Sequence, residues 1–212
     1  MSTPSPHTRR RADGRPGTFD VQKVIITVLK DLGLTVATAE SLTGGNISAE
    51  LSALPGAGEW FAGAVVAYAE RVKYDLLGVD PGPVITARAA RQMALGAARL
   101  LGADFAVATT GVGGPGRQEG LPEGTVFIAI SSPGDCSVVN YHFDGQPADV
   151  VARSTRRALE NLAGAVARHA EASARTADHR GRRRTRLTEA LVDGYRRDPT
   201  PDPPVSAGSP PR

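Results

Sequence analysis

Cysteine is almost absent from this chain of 212 residues, in which Cys136 is the only one. A single cysteine excludes a disulfide framework and the paired-cysteine spacing of a zinc site, and it fits a reducing compartment. No apolar run approaches the roughly 18 residues of a membrane-spanning helix. The arginine-bearing N-terminus has no apolar core like that of a signal peptide. The sequence therefore predicts a cytoplasmic protein without membrane contact.

Lysine is also scarce, and the positive charge of the chain lies at its ends. The formal net charge is +3. Residues 1–17 carry four Arg against Asp13, and residues 175–212 carry nine Arg against five acidic residues, so the residues between are net acidic. The basic ends therefore do not argue that the globular part binds nucleic acid. The arginine cluster around Arg182 leaves nucleic-acid contact through the tail as a hypothesis that we rank last.

Composition divides the chain into one domain and two tails. Residues 1–17 are rich in Pro, Gly and Arg and contain little to bury, which predicts disorder. Residues 18–172 are long enough for one domain of ordinary size. Residues 173–212 are basic and then Pro-rich, and we expect them to be mostly disordered.

Within the domain, apolar periodicity predicts strands interleaved with helices. The run 61–68 is nearly continuous in apolar residues, which favours a strand covered on both faces. Pro133 and Gly134 separate two β-rich runs and predict an antiparallel hairpin. The fold predicted is α/β, a three-layer α/β/α sandwich with a mixed, mainly parallel sheet and an antiparallel edge hairpin. The predicted helices are 20–32, one opened by Gly44 and Gly45, 69–77, 86–101 (buried side Ala89, Met93, Leu95, Ala98 and Leu101) and 148–170; the predicted strands are 34–37, 61–68, 104–110, 124–131 and 137–143, with a loop at 54–58.

The first strand runs into a turn that holds Ser41. A serine at a strand-to-helix turn is rigidly placed at the carboxyl edge of a sheet, where backbone N–H groups can bind an anion or a developing oxyanion. Ser41 is therefore a candidate nucleophile. The alternative is that Ser41 and Thr43 only cap the following helix.

Two further strand ends carry polar or glycine-rich residues, and ligands bind beyond such ends in α/β sheets. One of them contains Lys73. None of the four histidines stands at a strand end with Ser41, which argues against a Ser-His-Asp triad, and a desolvated lysine can replace the histidine as base. The alternatives are a solvated helix lysine for Lys73, a rim aromatic for Tyr68, and an ordinary flexible turn for the glycine loop at 111–116. Glu40 is expected to orient Lys73 or the Ser41 turn, or to be exposed.

These motifs together resemble the C-terminal domain of the CinA family, the nicotinamide-nucleotide amidases. Thr38-Ala39-Glu40-Ser41-Leu42-Thr43-Gly44-Gly45 is similar to the family signature A-E-S-x-T-G-G. The likeness covers about residues 20 to 165, and no further domain of the family precedes it in this sequence, so we expect the stand-alone form. The other matching motifs, in order, are Tyr68 with Lys73, Leu76-Leu77-Gly78-Val79, Ala108 to Gly116, and Pro122-Glu123-Gly124-Thr125-Val126.

The resemblance implies hydrolysis of the carboxamide of nicotinamide mononucleotide to nicotinate mononucleotide and ammonia. Ser41 would be the acylated nucleophile, Lys73 its base, and Tyr68 and Thr110 would position or polarise the substrate. The family is usually oligomeric, so we expect a homo-oligomer with a small-molecule nucleotide substrate, and neither a cofactor nor a metal. The resemblance also implies a substrate-binding set, with backbone N–H groups for the oxyanion or the phosphate: Glu40, Thr43, Gly44, Gly45, Gly111, Gly113 and Gly114.

The chain departs from the family pattern after its last strand. The family usually reads G-D-R-x-x-V-R there, whereas this chain has Pro147 and Val151 at the arginine positions. Arg117, Arg153 or Arg156 are candidates to replace them. Glu70 stands where the family often has Asn. Arg117 and Gln118 stand where the family often has glycines. The alternative function is a catalytically altered or inactive family member that binds a nucleotide or a protein partner.

Overall fold

A computed structural model of the chain describes residues 20–177, 188–190 and 193. The predictions for residues 1–17, and for most of the tail beyond residue 177, lie outside the described residues. Residues 20–177 form these elements: α1 (Val21–Leu32), β1 (Val36–Glu40), α2 (Asn46–Ser52), α3 (Ala57–Trp60), β2 (Phe61–Val66), α4 (Glu70–Asp75), α5 (Ala87–Leu101), β3 (Phe105–Gly111), β4 (Thr125–Ser132), β5 (Asp135–His142) and α6 (Pro147–Ala177).

The strands form one sheet in the order β2-β1-β3-β4-β5. Strands β2, β1 and β3 are parallel, whereas β4 is antiparallel to both β3 and β5. Ser132 pairs with Asp135 at the end of the β4–β5 hairpin, so Pro133 and Gly134 form its turn as predicted. The α/β fold with a parallel core and an antiparallel edge hairpin is therefore confirmed.

Side chains of the central strands alternate between two hydrophobic cores. Val36 and Val107 lie in the core that α1, α2 and α6 cover, and Ala37 and Ala108 lie in the core that α5 covers. This period of two is the consequence of strand geometry, in which successive side chains point to opposite faces. The sheet is thus the middle layer between two helical layers.

The core under α5 is built from small side chains, and the helix packs very closely. A Cβ atom added at Gly96 would lie 2.0 Å from the carbonyl oxygen of Leu77. Gly96 therefore permits α5 to approach the segment that follows α4. That segment continues into the residues that form one wall of the candidate site.

Helix α1 begins and ends where the sequence predicts. The Asp20 side chain accepts a hydrogen bond from the Lys23 N–H (3.1 Å), and Gly33 closes the helix in the left-handed conformation, with φ of 64°. The apolar face of α1, formed by Val24, Ile25 and Val28 with its neighbours, is fully buried.

Several details of the predicted elements were wrong. β2 is an edge strand with an exposed face, and Val66 is 47% exposed, so the strand is not covered on both sides. Leu95 of α5 points outward at 41% exposure. The first strand extends to Glu40, and the predicted loop 54–58 already contains the start of α3.

The last helix is longer than predicted. α6 continues to Ala177, past residue 172, where we placed the end of the domain. Residues 188–190 and 193 are also helical, and the Thr188 hydroxyl donates a hydrogen bond to the carboxylate of Asp31 in α1. None of the helices in the described part of the chain has the length and apolarity needed to cross a membrane.

Candidate active site

The carboxyl ends of the parallel strands open into a cavity of about 800 Å³. This is the edge at which α/β sheets bind ligands. The cavity is lined by the β1–α2 turn, the β2–α4 connection, the segment before α5, the loop after β3 and the start of α6. The lining residues are Ser41, Leu42, Asn46, Tyr68, Ala69, Glu70, Lys73, Val84, Ile85, Thr110, Gly111, Gly113, Gly114, Gln118, Pro147, Ala148, Val151 and Ala152.

Ser41 lies immediately after β1, in a backbone held at both ends. Its N–H donates to the carbonyl of Thr109 (3.0 Å), and its carbonyl accepts from the N–H of Gly44 (3.1 Å). The residue is 9% exposed, on the cavity side. Its hydroxyl has no hydrogen-bond partner among the described residues, so Ser41 does not act as the side-chain cap of α2.

Glu40 is the residue that caps α2, from a fully buried position. One carboxylate oxygen accepts from the N–H groups of Gly45 (3.0 Å) and Ile47 (3.1 Å), and the other accepts from Ser48 (2.7 Å) and from the Thr38 hydroxyl (3.3 Å). The negatively charged carboxylate thus stabilises the N-terminal end of α2, where the helix dipole is positive. Of the roles expected for Glu40, the structure supports the orientation of the Ser41 turn.

The predicted substrate-binding set therefore divides into two groups. Glu40, Thr43, Gly44 and Gly45 do not line the cavity, and the N–H groups of Gly44 and Gly45 already have acceptors within the protein. The Thr43 hydroxyl forms a 2.8 Å hydrogen bond with the hydroxyl of Thr109. These residues fix the turn and are not available to an oxyanion or a phosphate. Gly111, Gly113 and Gly114 do line the cavity.

Lys73 lies in α4 and is only 2% exposed, so it is not a solvated helix lysine. Its Nζ donates to the carbonyl of Tyr68 at 3.2 Å. Burial lowers the pKa of Lys73 from its ordinary value, because the charged form loses hydration, while the negative charges of Glu70 and Glu119 partly oppose this effect. Lys73 is thus a buried amine at the wall of the same cavity as Ser41.

Thr110 is tied to the segment that precedes α5. Its hydroxyl donates to the carbonyl of Val84 (2.8 Å), while the Glu119 carboxylate accepts from the N–H groups of Val84 (2.9 Å) and Ile85 (2.8 Å). Because its proton is used in this bond, the Thr110 hydroxyl faces a ligand as an acceptor. Glu119 adopts φ of 50°, an uncommon conformation for a residue with a side chain.

Unused backbone N–H donors lie next to Ser41 in the chain and in the loop after β3. The N–H groups of Leu42, Gly113 and Gly114 have no hydrogen-bond partner within the part of the chain that the structure describes. A Cβ atom at Gly113 would lie 3.2 Å from Cβ of Leu42, so the glycine brings the two loops together. These three N–H groups are candidates for binding a carbonyl oxygen as it becomes negative.

Some residues that line the cavity were not predicted from the sequence. Leu42, Asn46 and the Val84–Ile85 segment line the cavity although no motif pointed to their roles. The one available signal was the breaker at Pro81 to Pro83, which predicts a loop before α5. Pro147 and Val151, noted only as departures from the family pattern, form a wall of the cavity.

Tyr68 is 74% exposed and stands at the rim of the cavity. Its ring is therefore accessible to a planar ligand. Nowhere in the described part of the chain, the cavity included, are three His, Cys, Asp or Glu side chains grouped so as to hold a metal ion.

Comparison with known proteins identifies the family of this fold and cavity. The model of the CinA C-terminal domain matches residues 18–166. The chain belongs to the CinA C-terminal domain family. CinA-like proteins of Geobacter metallireducens and Synechocystis are 40% and 41% identical to it over 146 and 119 residues. These matches cover 65% and 53% of the chain, and 35% and 29% of the relatives, so the chain spans about a third of the curated relatives it matches.

Solved CinA-family structures agree over most of their own length. The competence or damage-inducible protein of Enterobacter asburiae is 29% identical with a TM-score of 0.67, and the match covers 69% of this chain and 96% of that protein. A CinA superfamily protein of Klebsiella pneumoniae is 30% identical with a TM-score of 0.67, covering 72% and 99%. Both proteins are named for competence or damage, and neither name states a reaction.

Proposed function

We propose that this chain is an amidohydrolase that removes the carboxamide nitrogen of nicotinamide mononucleotide or a close relative, giving the acid and ammonia. The observation that carries the proposal is that Ser41, with an unengaged hydroxyl, and Lys73, almost wholly buried, line one cavity. The resemblance of the Ser41 and Lys73 motifs to the nicotinamide-nucleotide amidases supports the substrate class.

In the first half of the reaction, Ser41 Oγ attacks the carboxamide carbon while the neutral amine of Lys73 accepts the hydroxyl proton. The C–O bond forms and the carbonyl electrons move to the oxygen. When the tetrahedral intermediate collapses, the C–N bond breaks and the Lys73 ammonium returns the proton to the departing nitrogen. Ammonia leaves, and the acyl group remains on Ser41 as an ester.

Water completes the second half by the same route. Lys73 accepts a proton from the water, and the hydroxide attacks the ester carbon. The ester C–O bond to Ser41 then breaks as the Lys73 ammonium returns the proton to Ser41 Oγ. The carboxylic acid leaves and loses its proton to solvent. The N–H groups of Leu42, Gly113 and Gly114 would stabilise the oxyanion in both halves. The Thr110 hydroxyl, as an acceptor, would hold the amide NH₂ group and so orient the substrate.

The test is ammonia release from nicotinamide mononucleotide by the full-length protein and its Ser41→Ala variant. We expect the substitution to reduce turnover by roughly 10³-fold or more, since a lost nucleophile leaves only binding and oxyanion stabilisation. The control is Ser52→Ala, which removes an exposed α2 hydroxyl that bonds only to the Ala49 carbonyl. Turnover by Ser41→Ala equal to that of Ser52→Ala would exclude the mechanism.

The residues that α6 contributes to the cavity favour a second candidate function. Pro147 and Val151 line the cavity where the family usually has arginines, which fits a family member that binds its ligand without turning it over. Saturable binding of the nucleotide to the folded wild-type protein, measured by calorimetry with no ammonia formed, would support this candidate over the amidase.

A further inference from the structure

The charged side chains that line the cavity are unsuited to binding a phosphate, because they include a carboxylate. Among the described residues that line it, Glu70 and Lys73 are the charged ones. Lys73 donates to the Tyr68 carbonyl and must be neutral to accept a proton from Ser41. When the site is ready to react, Glu70 therefore leaves the lining with net negative charge.

The wall formed by α6 offers no cationic side chain for a phosphate. Pro147, Ala148, Val151 and Ala152 line the cavity with aliphatic groups. Pro147 has no N–H, and the Asp149 carboxylate accepts the N–H of Gln146 (3.0 Å), so the first turn already carries an anion of its own. A phosphate near this helix end would meet the like charge of Asp149, and the N–H groups of Asp149 and Val150 already donate to the Gln146 carbonyl.

The neighbouring arginines point elsewhere. The Arg117 guanidinium donates to the carbonyl of Gly120, and Arg156 lies 3.9 Å from the Glu160 carboxylate. Neither of them lines the cavity, and neither does Arg153. A phosphate in the cavity would thus lack the bidentate guanidinium partner that compensates such a group for its lost hydration.

The same lining suits a cationic aromatic ring. Tyr68 presents an exposed ring at the rim, and Glu70, two residues further along the chain, contributes a carboxylate to the same lining. A positively charged ring gains from the face of an aromatic side chain and from a nearby carboxylate. The aliphatic wall of α6 would then contact an uncharged sugar.

We propose that the preferred substrate is a pyridinium carboxamide nucleoside, without the 5′-phosphate of the mononucleotide. The proposal rests on the amidase function above and narrows its substrate class. The cationic ring binds beside Tyr68 and Glu70, with its carboxamide directed to Ser41, and the ribose lies toward Pro147 and Val151.

The first test compares nicotinamide riboside with nicotinamide mononucleotide in phosphate-free buffer, using the full-length protein. We expect kcat/KM for ammonia release to be about tenfold or more higher for the nucleoside, the usual scale for one unpaired charged group. An equal or higher kcat/KM for the nucleotide overturns this inference and leaves the amidase function standing. Ammonia from neither compound overturns both.

The second test places a cation in the α6 wall. Val151→Arg should raise kcat/KM for the nucleotide relative to the nucleoside by roughly tenfold, because a guanidinium–phosphate bond becomes available. Val151→Met adds length without charge and should shift the ratio much less. Ala148→Arg, at an exposed position of the same wall, serves if Val151→Arg does not fold. If the arginine variants shift the ratio no more than Val151→Met, the proposed position of the ribose is wrong.

Discussion

At the scale of single residues, the burial of Lys73 governs the pH at which the proposed base can act. Its neutral form grows as the pH rises through its pKa, which burial lowers and the carboxylates of Glu70 and Glu119 raise. The ascending limb of kcat/KM should therefore lie below the ordinary lysine pKa of 10.5.

Replacing Glu70 by Gln should move this limb further down the pH scale. The substitution removes a negative charge that favours the ammonium form of Lys73, so the amine loses its proton at lower pH. The measurement is the pH profile of kcat/KM for the wild type and Glu70→Gln. Asp75→Asn, which alters an exposed acid of the same helix, is the control and should leave the limb in place. A limb that moves upward in Glu70→Gln would contradict the assignment of Lys73.

The sequence could predict which residues reach the cavity only where their position relative to a strand end decides it. Ser41 and Lys73 follow β1 and β2, and Thr110 lies near the carboxyl end of β3. These strand ends meet at one edge, and the structure brings all three residues to one cavity. Glu40 could not be assigned, because its role depends on three backbone N–H groups that converge only when α2 has formed. Leu42 was missed because its available group is a backbone N–H, which leaves no mark in the sequence.

At the scale of elements, Glu40 couples the end of β1 to the start of α2 and thereby fixes the Ser41 turn. We expect Glu40→Gln to lower the free energy of unfolding by about 2 kcal/mol or more, since a buried charged acceptor of several N–H groups is replaced by an amide that accepts through one oxygen. Turnover should fall as well, because the turn is no longer held. Urea unfolding and ammonia release measure the two effects.

The matched control for Glu40 is Glu50→Gln, which removes an exposed carboxylate from the same helix. It should change the unfolding free energy by at most about 0.5 kcal/mol, as surface substitutions usually do. Equal stability of the two variants would show that the buried carboxylate is not the cap that holds α2.

The edge position of β2 shows why strand order was harder to predict than strand existence. An apolar run of strand length fits either a central strand or an edge strand with an exposed apolar face. The exposed Val66 and the half-covered Phe61 distinguish the two only once β1 is seen to pair with β2 on one side and with β3 on the other. The prediction that Leu95 is buried was wrong for a related reason. Helix α5 buries its alanines and Gly96, and the larger leucine points outward.

At the scale of the whole molecule, the first and last helices of residues 20–177 pack against each other. Helix α6 contacts α1, and its first turns complete the cavity. Each fully buried side chain on the α1 face contributes about 1.5 to 3 kcal/mol relative to exposure. Part of that burial depends on α6, and a domain is stable by only about 5 to 15 kcal/mol in total.

A chain that ends at residue 146 should therefore lack cooperative thermal unfolding and should aggregate, because α1 loses its partner helix. A chain that ends at residue 193 keeps α6 and Thr188 and should unfold cooperatively like the full protein. Circular dichroism with temperature and sedimentation velocity compare the two. Cooperative unfolding of a monomeric 1–146 chain would show that α6 is not needed for the fold.

The position of α6 also bears on how the protein is made. Ser41 and Lys73 are synthesised early, but the wall formed by Pro147 and Val151 belongs to α6, which leaves the ribosome after all five strands. Until that helix emerges, the apolar face of α1 remains uncovered on the nascent chain and is a surface to which a chaperone can bind. The cavity wall is complete only once α6 has been synthesised, so chains released before that point would carry Ser41 without a finished cavity.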